Sequence, residues 1–139
     1  MHNFGLTDRL ISILSYYTFG GAGIVWFVVC ALTKTSIPKF TKYHILQSIL
    51  LSIILYLLTL LLEIGVSFTI SVPYIGEIVK NIVVFTAQTP IYLGFSLVHY
   101  VIFMIISYLA ILALFGKYSY FPYISDMVKS NLGDRWENF

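Results

Sequence analysis

One uninterrupted apolar stretch, Tyr43 to Ile64 (YHILQSILLSIILYLLTLLLEI), constrains this chain more than any other. It holds no Gly, no Pro, and no charge between His44 and Glu63. A bilayer core about 30 Å thick is crossed by roughly 20 apolar residues in a helix rising about 1.5 Å per residue, so 43–64 is expected to be a transmembrane helix. Its polar residues are ordered. At about 100° per residue, Ser48, Ser52, Tyr56, Thr59 and Glu63 gather on one side, with His44 near the edge. Gln47 lies off that stripe, in the first turn. The opposite side is Leu and Ile alone, so one face suits lipid and the other protein or water.

Composition points the same way. Of 139 residues, 59% are hydrophobic and 10% charged, with a mean hydropathy of +0.91; a soluble domain carries about 25% charged residues. The expected class is an all-α integral membrane protein, a single membrane domain over 1–139. It would have three to four transmembrane helices plus an interfacial amphipathic helix. A net charge of +2 is too small to imply nucleic acid. The lone Cys30 cannot form an intramolecular disulfide and reads as a small buried hydrophobe. The N-terminus MHNFGLTDRL lacks the basic lead of a signal peptide and the Arg- and Ser-rich character of a transit peptide. The chain is therefore expected to insert as synthesised.

In chain order, Thr7 caps a helix starting near Asp8, and Arg9 marks the interface. The first apolar block, 10–32, is long enough to cross once, but Gly20, Gly21 and Gly23 interrupt it. Each Gly costs about 1 kcal/mol in a helix interior. A single span bent at the glycines is favoured over a re-entrant hairpin, because unpaired backbone in lipid costs several kcal/mol per group. Lys34 to Lys42 reads as a loop around Pro38, followed by the 43–64 span. In 74–88, Ile75, Ile78, Val79, Ile82 and Val83 oppose Glu77, Lys80, Asn81 and Gln88. At about 22 Å it is too short to cross, so it reads as a helix lying in the interface. Thr89 and Pro90 start the last span, 90–115, which Gly116 ends. Its face of Tyr92, Ser96, His99, Ser107 and Ala110 is the natural mate of the Ser48–Ser52–Thr59 face. The 116–139 tail opens with Lys117, Tyr118, Tyr120, Phe121 and Tyr123, an aromatic belt, and a short helix is expected over 122–132.

The basic residues set orientation. Lys34, Lys39 and Lys42 lie in one loop, and Lys117, Lys129 and Arg135 in the tail, so both are expected on the cytoplasmic side.

Candidates for chemistry are few. His99, near mid-span of 90–115, is either a proton-sensitive group paired with Ser52 or Tyr56, or a neutral His making one interhelical bond of about 0.6 kcal/mol. His44 and Gln47 sit where polarity is easily solvated, and for Gln47 an interhelical bond is preferred to substrate contact. Histidines at 2, 44 and 99 form no metal-ligand spacing. No phosphate loop or nucleophile stands out, so no enzyme, cofactor or metal is expected.

Three patches carry a resemblance. Gly116-Lys117-Tyr118-Ser119, then Pro122, Ile124-Ser125 and Val128, is the most specific. Tyr43 with Leu46-Gln47-Ser48-Ile49-Leu50 is the second, and Arg9-Leu10, Leu14 and Tyr16 the third. Together they resemble the twenty-kilodalton membrane subunit of the chloroplast inner-envelope protein translocon (the Tic complex) and small bacterial Tic-like membrane proteins. The resemblance implies four helices and, for plastid members, a part in moving precursor proteins across a membrane. This chain differs in having only the glycine run between the first two helices and in its prominent 74–88 segment. The expected function is a component of a protein translocation or membrane-protein assembly complex. The alternatives are a small-molecule or ion transporter subunit and a purely structural subunit. Expected partners are membrane lipids, further copies or other membrane proteins, and polypeptide substrates. The expected location is a bacterial cytoplasmic membrane, or a plastid inner membrane for an organelle-encoded chain. Helices pack about 8–10 Å apart, so three spans fill their own centre, and conduction would need self-association or a partner.

Overall fold

The computed structural model describes residues 5–72 and 74–132. Residues 1–4, Pro73 and 133–139 lie outside the described residues, and with them Arg135 and the end of the 116–139 tail. The regular elements are α1 (Leu6–Tyr17), α2 (Gly21–Thr33), α3 (Lys39–Ile70), α4 (Ile75–Val83), a π-helical turn (Val84–Gln88), α5 (Leu97–Leu114) and α6 (Ile124–Leu132). The protein is thus all-helical among the described residues. The chain divides into two compact units, one of residues 1–53 with 106–139, the other of residues 54–105.

Among the described residues, two helices are long and apolar enough to cross a membrane: α3, with 32 residues, and α5, with 18. In α3 the residues buried by protein all lie between Phe40 and Leu51. Beyond them Ile53, Leu57, Leu61 and Leu62 are exposed, an apolar surface that water would not tolerate and lipid would. The helix is longer than the 43–64 expected, because Lys39 and Lys42 belong to its first turn and nothing after Gly65 breaks it. The Lys42 N–H donates to the Pro38 carbonyl, so Pro38 precedes the helix rather than disrupting it.

The first apolar block is two helices rather than the continuous span favoured above. They have 12 and 13 residues, roughly 18 and 20 Å at 1.5 Å per residue, each short of a 30 Å core. The break is at Thr18–Gly20. Gly20 has φ +89°, and a Cβ there would lie 2.5 Å from Ile49 Cγ1, so both conformation and space require glycine. The backbone cost that argued for one span is met locally. Thr18 Oγ1 donates to the Leu14 carbonyl and accepts the Ala22 N–H, while the Gly20 N–H donates to the Ser15 carbonyl.

Contacts along α3 give the direction of each arm. Thr41 donates to Asp8, Tyr16 reaches His44 and Gln47, Gly20 abuts Ile49, and Gly23 abuts Ile45. So α1 runs alongside the first turns of α3, and α2 returns toward the 35–38 loop. A Cβ on Gly23 would sit 2.5 Å from Ile45 Cγ2 and 2.9 Å from Ser15 Oγ; this glycine lets α1, α2 and α3 meet closely.

In the second unit, the amphipathic helix stops at Val83 and the 84–88 part of 74–88 is a π turn, closed by the Thr89 N–H on the Val84 carbonyl. Gly76 lies against the end of α3, where a Cβ would be 2.7 Å from the Thr69 carbonyl oxygen. Thr89 and Pro90 do not start the last span. The chain first makes a tight turn from Ile91 to Phe95, with Leu93 at φ +50° and Gly94 at φ +82°, and α5 begins only at Leu97. It ends as a Schellman motif: Lys117 N–H donates to Leu112, Gly116 N–H to Ala113, with Gly116 at φ +69°.

Candidate functional site

The first turns of α3 carry Tyr43, His44 and Gln47. At spacings of three and four residues, Tyr43 and His44 share a side with Gln47. Tyr16 comes to them from α1, and Ser119 and Ser125 from the segment after α5. Every one of these six is essentially fully buried.

The hydrogen bonds form a closed set around Gln47. The Tyr16 hydroxyl donates to Gln47 Oε1 at 2.8 Å, and Ser119 Oγ donates to the same oxygen at 2.7 Å. Gln47 Nε2 donates to Ser125 Oγ at 3.1 Å and to the Ser119 carbonyl at 3.4 Å. Both lone pairs and both amide protons are thereby used, which also fixes which way the amide faces. Tyr43 donates to the Ser119 carbonyl at 2.5 Å, and Ser125 Oγ accepts the Phe121 N–H at 2.6 Å.

His44 completes the set. Its Nδ1 lies 2.8 Å from the Tyr16 hydroxyl. Because that hydroxyl gives its proton to Gln47, Nδ1 is assigned as the N–H that donates to it. Nε2 is buried without a hydrogen bond. Aromatic rings enclose the imidazole: Tyr118 stacks on it at 6.2 Å, and Phe40, Tyr43 and Tyr16 meet it edge-on at 4.5, 5.4 and 5.7 Å. Burial raises the Tyr118 phenol above its ordinary range, which keeps it neutral.

Beside this cluster, Arg9 Nη1 donates to the Leu114 carbonyl at 3.3 Å. A cation there meets the negative end of the α5 dipole and one of its unpaired carbonyls. A Cβ at Gly116 would lie 3.3 Å from Arg9 Nη2, so the glycine that ends α5 also leaves room for the guanidinium.

The arrangement fastens three distant segments together. The residues singled out from the sequence fare unequally. Gln47, Ser119, Ile124 and Ser125 are brought together and buried, with Tyr118 half-buried beside them. His44 is not solvated as expected but sits among partners, and Gln47 bonds Tyr16 of α1 and the serines of the tail. Gly116 is a cap, while Lys117 and Pro122 are exposed. The hydroxyls of the proposed polar face of α3 are bonded within the helix itself. Ser48 donates to Ile45, Ser52 to Ile49 and Thr59 to Leu55, each a carbonyl of its own helix. Such back-bonding is how a hydroxyl is satisfied in an apolar setting without a partner helix.

His99 is also displaced from its expected role. Since α5 starts at Leu97, His99 is in the first turn and not mid-span. It is exposed, with Nδ1 2.7 Å from Ser96 Oγ. Ser107 is half-buried on α5. Residues that sequence reasoning undervalued are Tyr16 as the hub, His44, Tyr43 and Phe40. The available signal was the Tyr43–His44–Gln47 spacing, a second polar face beside the serine stripe. No group of three His, Cys, Asp or Glu placed to hold a metal occurs among the described residues. No family model, curated protein or solved structure matches the chain.

Proposed function

We propose that the chain is a Tic-like multi-pass membrane subunit acting in polypeptide translocation or membrane-protein assembly, alongside further copies of itself or other membrane proteins. One observation carries the reading. The patches that bear the resemblance, 9–16, 43–50 and 116–125, are far apart in sequence yet meet in a single buried network through Tyr16, Gln47, Ser119 and Ser125. A chance scatter of aliphatic matches gives no reason for its polar members to bond one another. In this reading α3 and α5 cross the membrane, the α1–α2 hairpin enters from one side, and the end bearing Lys34, Lys39 and Lys117 faces the cytoplasm of a bacterium or the equivalent side of a plastid inner membrane.

A structural subunit is the second reading, favoured by the self-satisfied hydroxyls of Ser48, Ser52 and Thr59. A small-molecule or ion path has less support, because those hydroxyls spend their protons on carbonyls of their own helix and His99 is held by Ser96. A photo-crosslinking residue at Ser52, in living membranes, separates the first two. Adducts to varied polypeptides in transit support translocation or assembly. Adducts to the same chain or to one fixed partner leave the structural role. A deletion strain that places all its secreted and membrane proteins correctly would sink the translocation reading.

A further inference from the structure

We infer that the end of the first unit where α3 begins is a binding surface for anionic phospholipid headgroups. The fold gathers charge there that the sequence spreads over more than a hundred positions. Arg9 lies against the end of α5. Lys34 and Lys39 flank the 35–38 loop, and Lys42 is in the first turn of α3. Lys117 follows the Gly116 cap, and Lys129 sits on α6 with its Nζ 5.7 Å over the Tyr120 ring. Thr41–Asp8, Arg9–Leu114 and Tyr43–Ser119 bonds tie these segments to one end. Every described cation except Lys80 is in this group. Among the described residues the acids there are Asp8 and Asp126, and Thr41 and Tyr120 donate to them.

The apolar neighbours decide what kind of anion fits. Leu6 and Leu10 flank Arg9, and Leu32 precedes Lys34; they are 72%, 48% and 80% exposed. Tyr123 and Met127 of the tail are exposed between Lys117 and Lys129. Cations bordering open apolar side chains match a molecule with a phosphate at one end and acyl chains at the other. An acidic polypeptide would satisfy the charges and leave the leucines in water.

The test reconstitutes the full chain in vesicles of phosphatidylcholine containing phosphatidylglycerol at a quarter of the lipid. It then measures by mass spectrometry the lipid retained after gentle extraction. Retained phosphatidylglycerol should exceed its bulk share at least threefold. A Lys34→Gln/Lys39→Gln/Lys42→Gln variant should fall to near the bulk ratio, the matching Lys→Arg variant should keep the enrichment, and Lys80→Gln should change nothing. These lysines are exposed or half-buried, and an unchanged helical circular dichroism spectrum confirms that the variant is folded. Retention at the bulk ratio in the unmodified protein overturns the proposal. So does enrichment that survives the triple Gln change, or displacement of the lipid by a soluble acidic peptide at micromolar concentration, which would assign the surface to a protein.

Discussion

Gln47 and Ser52 lie five residues apart on one helix and solve the same problem in opposite ways. Gln47 spends all four of its hydrogen-bonding positions on other segments, so removing it strands buried groups on α1 and on the tail. Each buried donor or acceptor left unmet costs about 1–3 kcal/mol. Gln47→Leu is therefore expected to destabilise by several kcal/mol, read as a lowered midpoint of thermal unfolding in detergent. Ser52 bonds the Ile49 carbonyl of its own helix, and Ser52→Ala should stay within about 0.5 kcal/mol. Similar losses for the two would mean that the network is not what holds the unit. Tyr16→Phe adds a sharper check. Its hydroxyl bridges His44 and Gln47, so the Tyr16→Phe and Gln47→Leu losses should sum to at least about 0.5 kcal/mol more than the double variant shows. Additive losses would place the two residues in separate interactions.

At the scale of the element, glycine has opposite meanings in different helices. Gly23 is wedged between Ile45 and Ser15, with no room for a Cβ, and Gly23→Ala is expected to cost about 1–3 kcal/mol by overpacking. Gly65 has nothing within 4 Å of a built Cβ and lies inside α3. Gly65→Ala should be neutral or stabilise by up to about 1 kcal/mol. Thermal unfolding of both variants checks the pair, and a larger loss at Gly65 would contradict the packing described. This contrast shows what was legible in the sequence. The run of Leu and Ile made α3 readable as a helix long and apolar enough to cross a membrane, since length and hydropathy alone decide that. Whether Gly20–Gly23 bends a helix or ends one was not readable, because the answer depends on Thr18 meeting the orphan backbone groups and on Ile49 filling the space above Gly20. The start of α5 was misplaced for a related reason: Thr89-Pro90 has the pattern of a cap, but the Thr89 N–H closes the π turn instead. Of the site, the Gly116–Ser125 patch and Gln47 were picked out as separate features. That they touch, with Tyr16 between them, follows from the hairpin and from where α5 ends, and neither is encoded locally.

For the molecule as a whole, the hairpin changes the parity of the chain. If 10–32 crossed the membrane once, residue 6 and the 35–38 loop would face opposite compartments. With α1 running along α3 and α2 returning, they lie at the same end of α3, and in the membrane reading proposed above they face the same one. The tail joins them, because Ser119 and Ser125 are bonded to Gln47 near the start of α3. The expected result is that single cysteines at Leu6, Ser36 and Ser130, all exposed in this fold, share one sidedness. The background would be Cys30→Ala, which removes the one native thiol, itself buried. An impermeant maleimide should label all three in sealed inverted vesicles and none in right-side-out vesicles if the lysine-rich end is cytoplasmic. The reverse pattern, all three labelled only from outside, would keep the hairpin and invert the orientation drawn from the lysines. Labelling of Leu6→Cys and Ser36→Cys from opposite sides would restore a continuous first span. It would also remove the contacts of Tyr16 with His44 and Gln47, because α1 could not then run beside the first turns of α3 from the side on which they begin.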